Sequence, residues 1–109
     1  MIIYIAGPFR GKTPWEVHRN VHAAEYAALE VARKGHIPLA PHCLYRNFDK
    51  ALPDEFWLAA TITLLERCDA IYMLPRWELS QGATAEHQRA TDRGMRVFYE
   101  MITVPGGNP

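Results

Sequence analysis

Four short apolar runs are spaced along this chain by segments of helix length, and that spacing leaves few folds open. The runs are Ile2-Ile-Tyr-Ile5, His36-Ile-Pro-Leu-Ala40, Asp69-Ala-Ile-Tyr-Met-Leu74 and Arg96-Val-Phe-Tyr99. Apolar runs of this length bounded by Gly or Pro read as strands. Strands joined through helices pair in parallel, and right-handed crossovers place helices on both faces of the sheet. The expectation is an α/β chain, a Rossmann-like or flavodoxin-like three-layer sandwich with a four-stranded parallel sheet. Pro38 assigns the second strand to an edge, because proline cannot donate to a ladder.

The helices carry their own signals. Thr13-Pro-Trp-Glu16 reads as a helix start, with Thr13 as N-cap, Pro14 at the first helical position and Glu16 completing a capping box. Val17, Val21, Ala24, Ala28 and Val31 form its apolar stripe, and Gly35 supplies the stop. Pro41 through Asp49 reads as a long loop. A second helix runs from Pro53-Asp54 to about Arg67 with Phe56, Ala59, Ala60, Thr63 and Leu64 facing inward. A third runs from Ser80 to Arg93 and closes at Gly94. One domain is expected over residues 1–103, followed by a disordered tail at 104–109.

Composition narrows the partners. Twelve Lys and Arg balance twelve Asp and Glu, so there is no basic field to hold a nucleic-acid polymer. A single arginine is still enough to hold one phosphate of a small molecule. The apolar opening Met1–Ala6 is too short for a signal peptide or a membrane span. Cys43 and Cys68 form no CxxC pair. Together these point to a cytoplasmic protein without a membrane partner. His36, His42 and His87 do not make a ligand spacing with Cys43, so no metal is expected.

In an open α/β sheet, ligands bind beyond the carboxyl ends of the strands, at the point where strand order reverses. Here that point lies between the first and third strands. The loops Gly7–Lys12 and Pro75–Leu79 should face each other across it. Gly7-Pro-Phe-Arg-Gly11 reads either as an anion-binding turn, with Arg10 gripping a phosphate or carboxylate, or as a plain strand-to-helix turn. Ser80-Gln-Gly-Ala-Thr-Ala-Glu86 opens the third helix with Ser80 as N-cap. Glu86 then projects from the second helical turn, on the side of Gly82 and Ala83. It is either a site carboxylate or a solvated surface residue. Tyr4 is either a core aromatic or a hydroxyl that orients Glu86. His42 lies just past the second strand. Trp77 either stacks on a base or meets a protein partner. Asp69 reads as structural.

Tyr4-Ile-Ala-Gly-Pro-Phe-Arg-Gly11, Cys68-Asp-Ala-Ile-Tyr-Met-Leu74 and Ser80-Gln-Gly-Ala-Thr-Ala-Glu86-His together resemble the nucleoside 2-deoxyribosyltransferase superfamily. The likeness spans nearly the whole chain and is nearest to a small bacterial and phage branch. The glycine-arginine-glycine loop is also similar to that of the 2′-deoxynucleoside 5′-phosphate N-hydrolases. The resemblance implies a homodimer or higher homo-oligomer acting at the N-glycosidic bond of a small-molecule nucleoside or nucleotide, with no cofactor. It implies that Glu86 is the nucleophile toward C1′ and that Tyr4 positions it. Gly7, Pro8, Phe9, Arg10 and Gly11 would hold a 5′-phosphate, Ser80 and Gly82 would line the sugar-phosphate pocket, and His42 would lie near the site. One position departs: Thr61 stands where the family often has an aspartate, and threonine is neither acid nor charge. Asp54 or Glu55 is the candidate substitute. Glu86 favours an enzyme, Thr61 a non-catalytic nucleotide sensor, and an assembly protein that kept only the fold is the third alternative.

Overall fold

The computed structural model describes residues 1–106. Strand β1 (Ile2–Ala6) leads through helix α1 (Pro14–Arg33) to β2 (Ile37–Leu39). A short helix α2 (Pro41–Tyr45) and a 3-10 turn at Asp49–Ala51 precede helix α3 (Asp54–Leu65). Strand β3 (Ala70–Met73), helix α4 (Gln81–Asp92) and strand β4 (Arg96–Phe98) follow, and a last 3-10 turn covers Met101–Thr103. The sheet is entirely parallel with order β2-β1-β3-β4. This is the Rossmann-like or flavodoxin-like α/β arrangement, and its order reverses between β1 and β3.

Side-chain alternation along the two central strands divides the core. Ile3 and Ile5 of β1, with Ala70, Tyr72 and Leu74, pack against Ala24, Ala27 and Val31 of α1. Tyr4 and Ala6, with Ile71 and Met73, pack against Leu65 of α3 and Ala83 and Ala90 of α4. Tyr4 pairs with Ile71 in register, so both point toward α4. Burial of each large aliphatic side chain here is worth about 1.5–3 kcal/mol.

Helix α1 starts where its sequence signals place it. Thr13 Oγ1 accepts the Glu16 backbone N–H at 3.2 Å, a cap worth about 1 kcal/mol. The Glu16 carboxylate does not return to the Thr13 amide as a capping box would have it. It accepts the Lys12 N–H at 2.9 Å, one residue further out.

Three further expectations change. The stretch from Pro41 to Asp49 is not loop throughout, because Pro41 sits at the first position of α2, where a missing N–H costs nothing. The inner side of α3 is also different. Phe56, Ala59 and Thr63 face solvent, while Trp57, Thr61, Ile62 and Leu65 turn inward beside Ala60 and Leu64. A helix that is apolar all round gives no periodic contrast by which to orient it. Finally, disorder does not begin at Val104. That side chain is only 2% exposed, and Lys34 Nζ donates to its carbonyl at 2.8 Å. The rest of the expected tail, 107–109, lies outside the described residues.

Candidate functional site

A cavity of about 530 Å³ opens at the carboxyl end of the sheet beside the β1/β3 reversal. Four elements wall it: the loop after β1, the start of α2, one side of α3 and the first turns of α4. Tyr4 and Glu86 line it from below.

Glu86 is 8% exposed despite being a carboxylate in the middle of a helix. Ser80 sets the start of that helix: its Oγ accepts the Ala83 N–H at 3.1 Å, which leaves its own hydroxyl proton free to donate. Glu86 then falls six positions on, turned to the sheet beside Ala83 and Ala90, which are also buried. The Tyr4 hydroxyl donates to Glu86 Oε2. Burial pushes the Glu86 carboxyl up to about 7, against smaller opposing effects of the Tyr4 hydrogen bond and of the nearby Thr61 hydroxyl. Burial, reinforced by the charge of Glu86, raises the Tyr4 phenol well above its usual range, so Tyr4 stays a donor. A carboxylate with one oxygen tied to a phenol, no cation beside it among the described residues and open space in front is suited to attack or proton transfer.

The loop after β1 is held by its carbonyls. Asn20 Nδ2 of α1 donates to Phe9 O and Arg10 O at 3.1 and 3.2 Å. His42 Nε2 lies 3.0 Å from Gly7 O and 2.9 Å from Pro8 O. Two carbonyls require a donor, so Nε2 carries a proton. Burial lowers the His42 pKa and so favours the neutral imidazole, although the two carbonyls pull the other way. Nδ1 is buried without a partner. His42 therefore braces the loop and supports Phe9, whose ring meets it edge-on at 5.7 Å.

Tyr4, Gly7, Pro8, Phe9, Arg10, His42, Ser80, Gly82 and Glu86 all line the cavity. Gly11 and Trp77 do not. Gly11 is small because a Cβ there would collide with Glu16 Cβ on the first turn of α1. Gly7 has a comparable reason, since a Cβ would stand 2.6 Å from Leu74 Cβ. Both glycines thus serve close packing of the loop. Trp77 departs from the base-stacking expectation. Arg76 adopts a left-handed conformation (φ 66°), and the chain then turns through Trp77–Leu79. Trp77 ends up stacked on His87 at 4.2 Å. Asp69 accepts the Ile2 N–H at 2.7 Å, which is the structural role expected of it.

Sequence reasoning missed several walls. Tyr45 and Trp57 lie 5.0 Å apart, centroid to centroid, on the α2–α3 side. Leu58, Leu79 and Gln81 also line the cavity. Asp54 and Glu55, the candidate substitutes named from the sequence, line it too, and the pairing of Asp54 with Arg10 at 2.8 Å across the mouth was not foreseen. The aromatic pair had a signal in Tyr45, Phe48 and Trp57, which cluster once α2 turns the chain. Thr61 lines the cavity near Glu86, and its Oγ1 donates back to Leu58 O at 3.2 Å.

Among the described residues, no group of three or more His, Cys, Asp or Glu side chains is placed to hold a metal. No helix among them is long and apolar enough to cross a membrane. Residues 1–99 match a family model described as "Domain of unknown function (DUF4406)". No curated protein matches the chain.

Proposed function

As the chain belongs to the DUF4406 family, whose description names no reaction, we propose a function from the site itself: cleavage or transfer at the N-glycosidic bond of a nucleoside or nucleoside 5′-monophosphate, with Glu86 as nucleophile. The observation that carries this is the buried Glu86, held by the Tyr4 hydroxyl below a cavity at the strand-order reversal. The sequence resemblance to the nucleoside 2-deoxyribosyltransferases supports the same reaction.

The reaction is a double displacement. A Glu86 oxygen bonds to C1′ as the C1′–N bond breaks, and the bonding pair leaves with the base, which takes a proton from solvent. The developing oxocarbenium charge is stabilised by the carboxylate, as in retaining glycosidases. Water or a second base then attacks C1′ and gives up a proton to solvent, while the C1′–O bond breaks and its electron pair returns to the Glu86 carboxylate. Tyr4 holds Oε2 and leaves the other oxygen to attack. Only the ionised form of Glu86 can do this, so the rate rises as pH climbs through about 7. Ser80 and the open side of Gly82 supply polar and steric room for the sugar. No cofactor takes part. A cytoplasmic location fits the free thiols of Cys43 and Cys68. The exposed apolar side chains of Phe48, Leu52 and Phe56, around the start of α3, are the surface a homodimer or higher homo-oligomer would bury.

The second reading is a non-catalytic nucleotide sensor, and Thr61 favours it, since it offers no acid to assist the leaving base. A screen of nucleosides and 5′-monophosphates for free-base release separates the two. Release that disappears in Glu86→Ala supports the enzyme. Release that survives this change removes Glu86 as nucleophile, and binding without turnover establishes the sensor.

A further inference from the structure

The loop after β1 has two features that would receive a phosphate, and each is already met by a carboxylate of this chain. The Lys12 N–H, at the entry to α1, is taken by Glu16 Oε1 at 2.9 Å. Arg10, the guanidinium lining the cavity, is taken by Asp54 Oδ1 at 2.8 Å. The cavity walls thus include three carboxylates, Asp54, Glu55 and Glu86, against one guanidinium, Arg10. The glycines of the loop have reasons other than a close anion: Gly7 makes room for Leu74, and Gly11 for Glu16. A dianionic phosphate brought to Arg10 would have to displace Asp54 and then stand beside both Asp54 and Glu55. Like charges at contact distance oppose each other, and a neutral group incurs no such cost.

The geometry points to a neutral nucleoside with a free 5′-hydroxyl, rather than a nucleoside 5′-monophosphate, as the ligand of this cavity, with Asp54 and Glu16 setting that preference. This rests on the N-glycosidic reaction proposed above and chooses between its two substrate classes. Asp54 holds Arg10 as a neutral pair at the mouth, where a sugar hydroxyl can bond to either partner. Glu16 takes the Lys12 N–H that an external anion would otherwise meet at the entry to α1.

The test is equilibrium binding to the full-length Glu86→Gln protein, which binds without turning over. The probes are 2′-deoxyadenosine, 2′-deoxyguanosine, 2′-deoxycytidine and thymidine, each beside its 5′-monophosphate, at low and at physiological salt. Asp54→Asn and Glu16→Gln added to that background remove charge while keeping an oxygen that can accept the same hydrogen bond, so the fold is spared. Nucleosides are expected to bind about tenfold more tightly than their monophosphates at low salt. The gap narrows as salt is added. Asp54→Asn closes it by about fivefold, the scale of one exposed charge pair. Monophosphates bound as tightly as nucleosides, or more so, overturn the inference and leave the reaction standing. A gap unmoved by both substitutions overturns the roles of Asp54 and Glu16. Failure of both probe series to bind overturns the nucleoside site, and this inference with it.

Discussion

On the α1 side of the sheet, Ile3 and Ile5 meet Ala24, Ala27 and Val31, all aliphatic. On the other side Tyr4, between those two isoleucines in sequence, brings a hydroxyl to a buried carboxylate beneath an open cavity. One strand therefore faces a closed core and a site. The closed face draws its stability from transfer of apolar area, while the open face holds a charge that its surroundings disfavour. The difference teaches that the fold is secured on one side and left open, at a cost in stability, around a buried carboxylate on the other.

The sharpest way to break that contrast is Glu86→Gln. Base release is expected to fall by at least about a thousandfold, as for loss of a nucleophile; a single-turnover release assay checks it, and retained release would return Glu86 to a structural role. On the closed face, Ile5→Ala should lower stability by about 3 kcal/mol in urea unfolding, with kcat of the folded fraction unchanged. A loss of activity larger than the loss of folded protein would mean that the two faces are coupled.

The same Glu86→Gln change should also raise stability. The folded protein holds the Glu86 proton up to about 7, whereas the unfolded chain releases it near 4.5. Between those values the unfolded state binds fewer protons, so stability falls as pH rises through the window and stays lower above it. The penalty amounts to up to about 3 kcal/mol at pH 8. The variant should therefore gain about that much at pH 8 and little at pH 4, as read by unfolding at both. Equal effects at the two values would show that Glu86 is not strained by its charge. Tyr4→Phe is milder. Its hydrogen bond lowers the Glu86 pKa, so removal should move the acid limb of the kcat/KM profile upward and slow release at pH 7 about tenfold. An unmoved limb would separate Tyr4 from the carboxylate. Trp77→Ala, stacked on His87 outside the cavity, should change nucleoside affinity by less than about twofold.

How far the sequence revealed this depended on contrast. Strands bounded by Gly7-Pro8 and a helix opened by Thr13-Pro14 carry local punctuation, and the structure follows it. The Ser80 cap placed Glu86 on a definite helical turn, and the switch-point rule put that turn opposite the loop after β1. Helix α3 offered no such contrast, since its apolar residues surround it, and its inner side was assigned correctly only at Ala60 and Leu64. Trp77 was misplaced because the left-handed turn at Arg76 lacks the glycine that signals one. Asp54 was legible as a candidate site carboxylate at the start of α3, but its pairing with Arg10 was not, because the two are distant in sequence and nothing local announces a pair formed across a cavity mouth.

Pro38 has a consequence at the rim of the sheet. The Ile37 N–H bonds inward to Met1 O at 2.9 Å, so the position of Pro38 nitrogen one residue on faces outward, where it offers no donor. The free margin of β2 is three residues long and interrupted at its centre. An incoming strand from another molecule would find no continuous ladder to extend along this margin, which protects the β2 edge from edge-to-edge pairing. Of the two margins of the sheet, this one is thereby closed to assembly through strands.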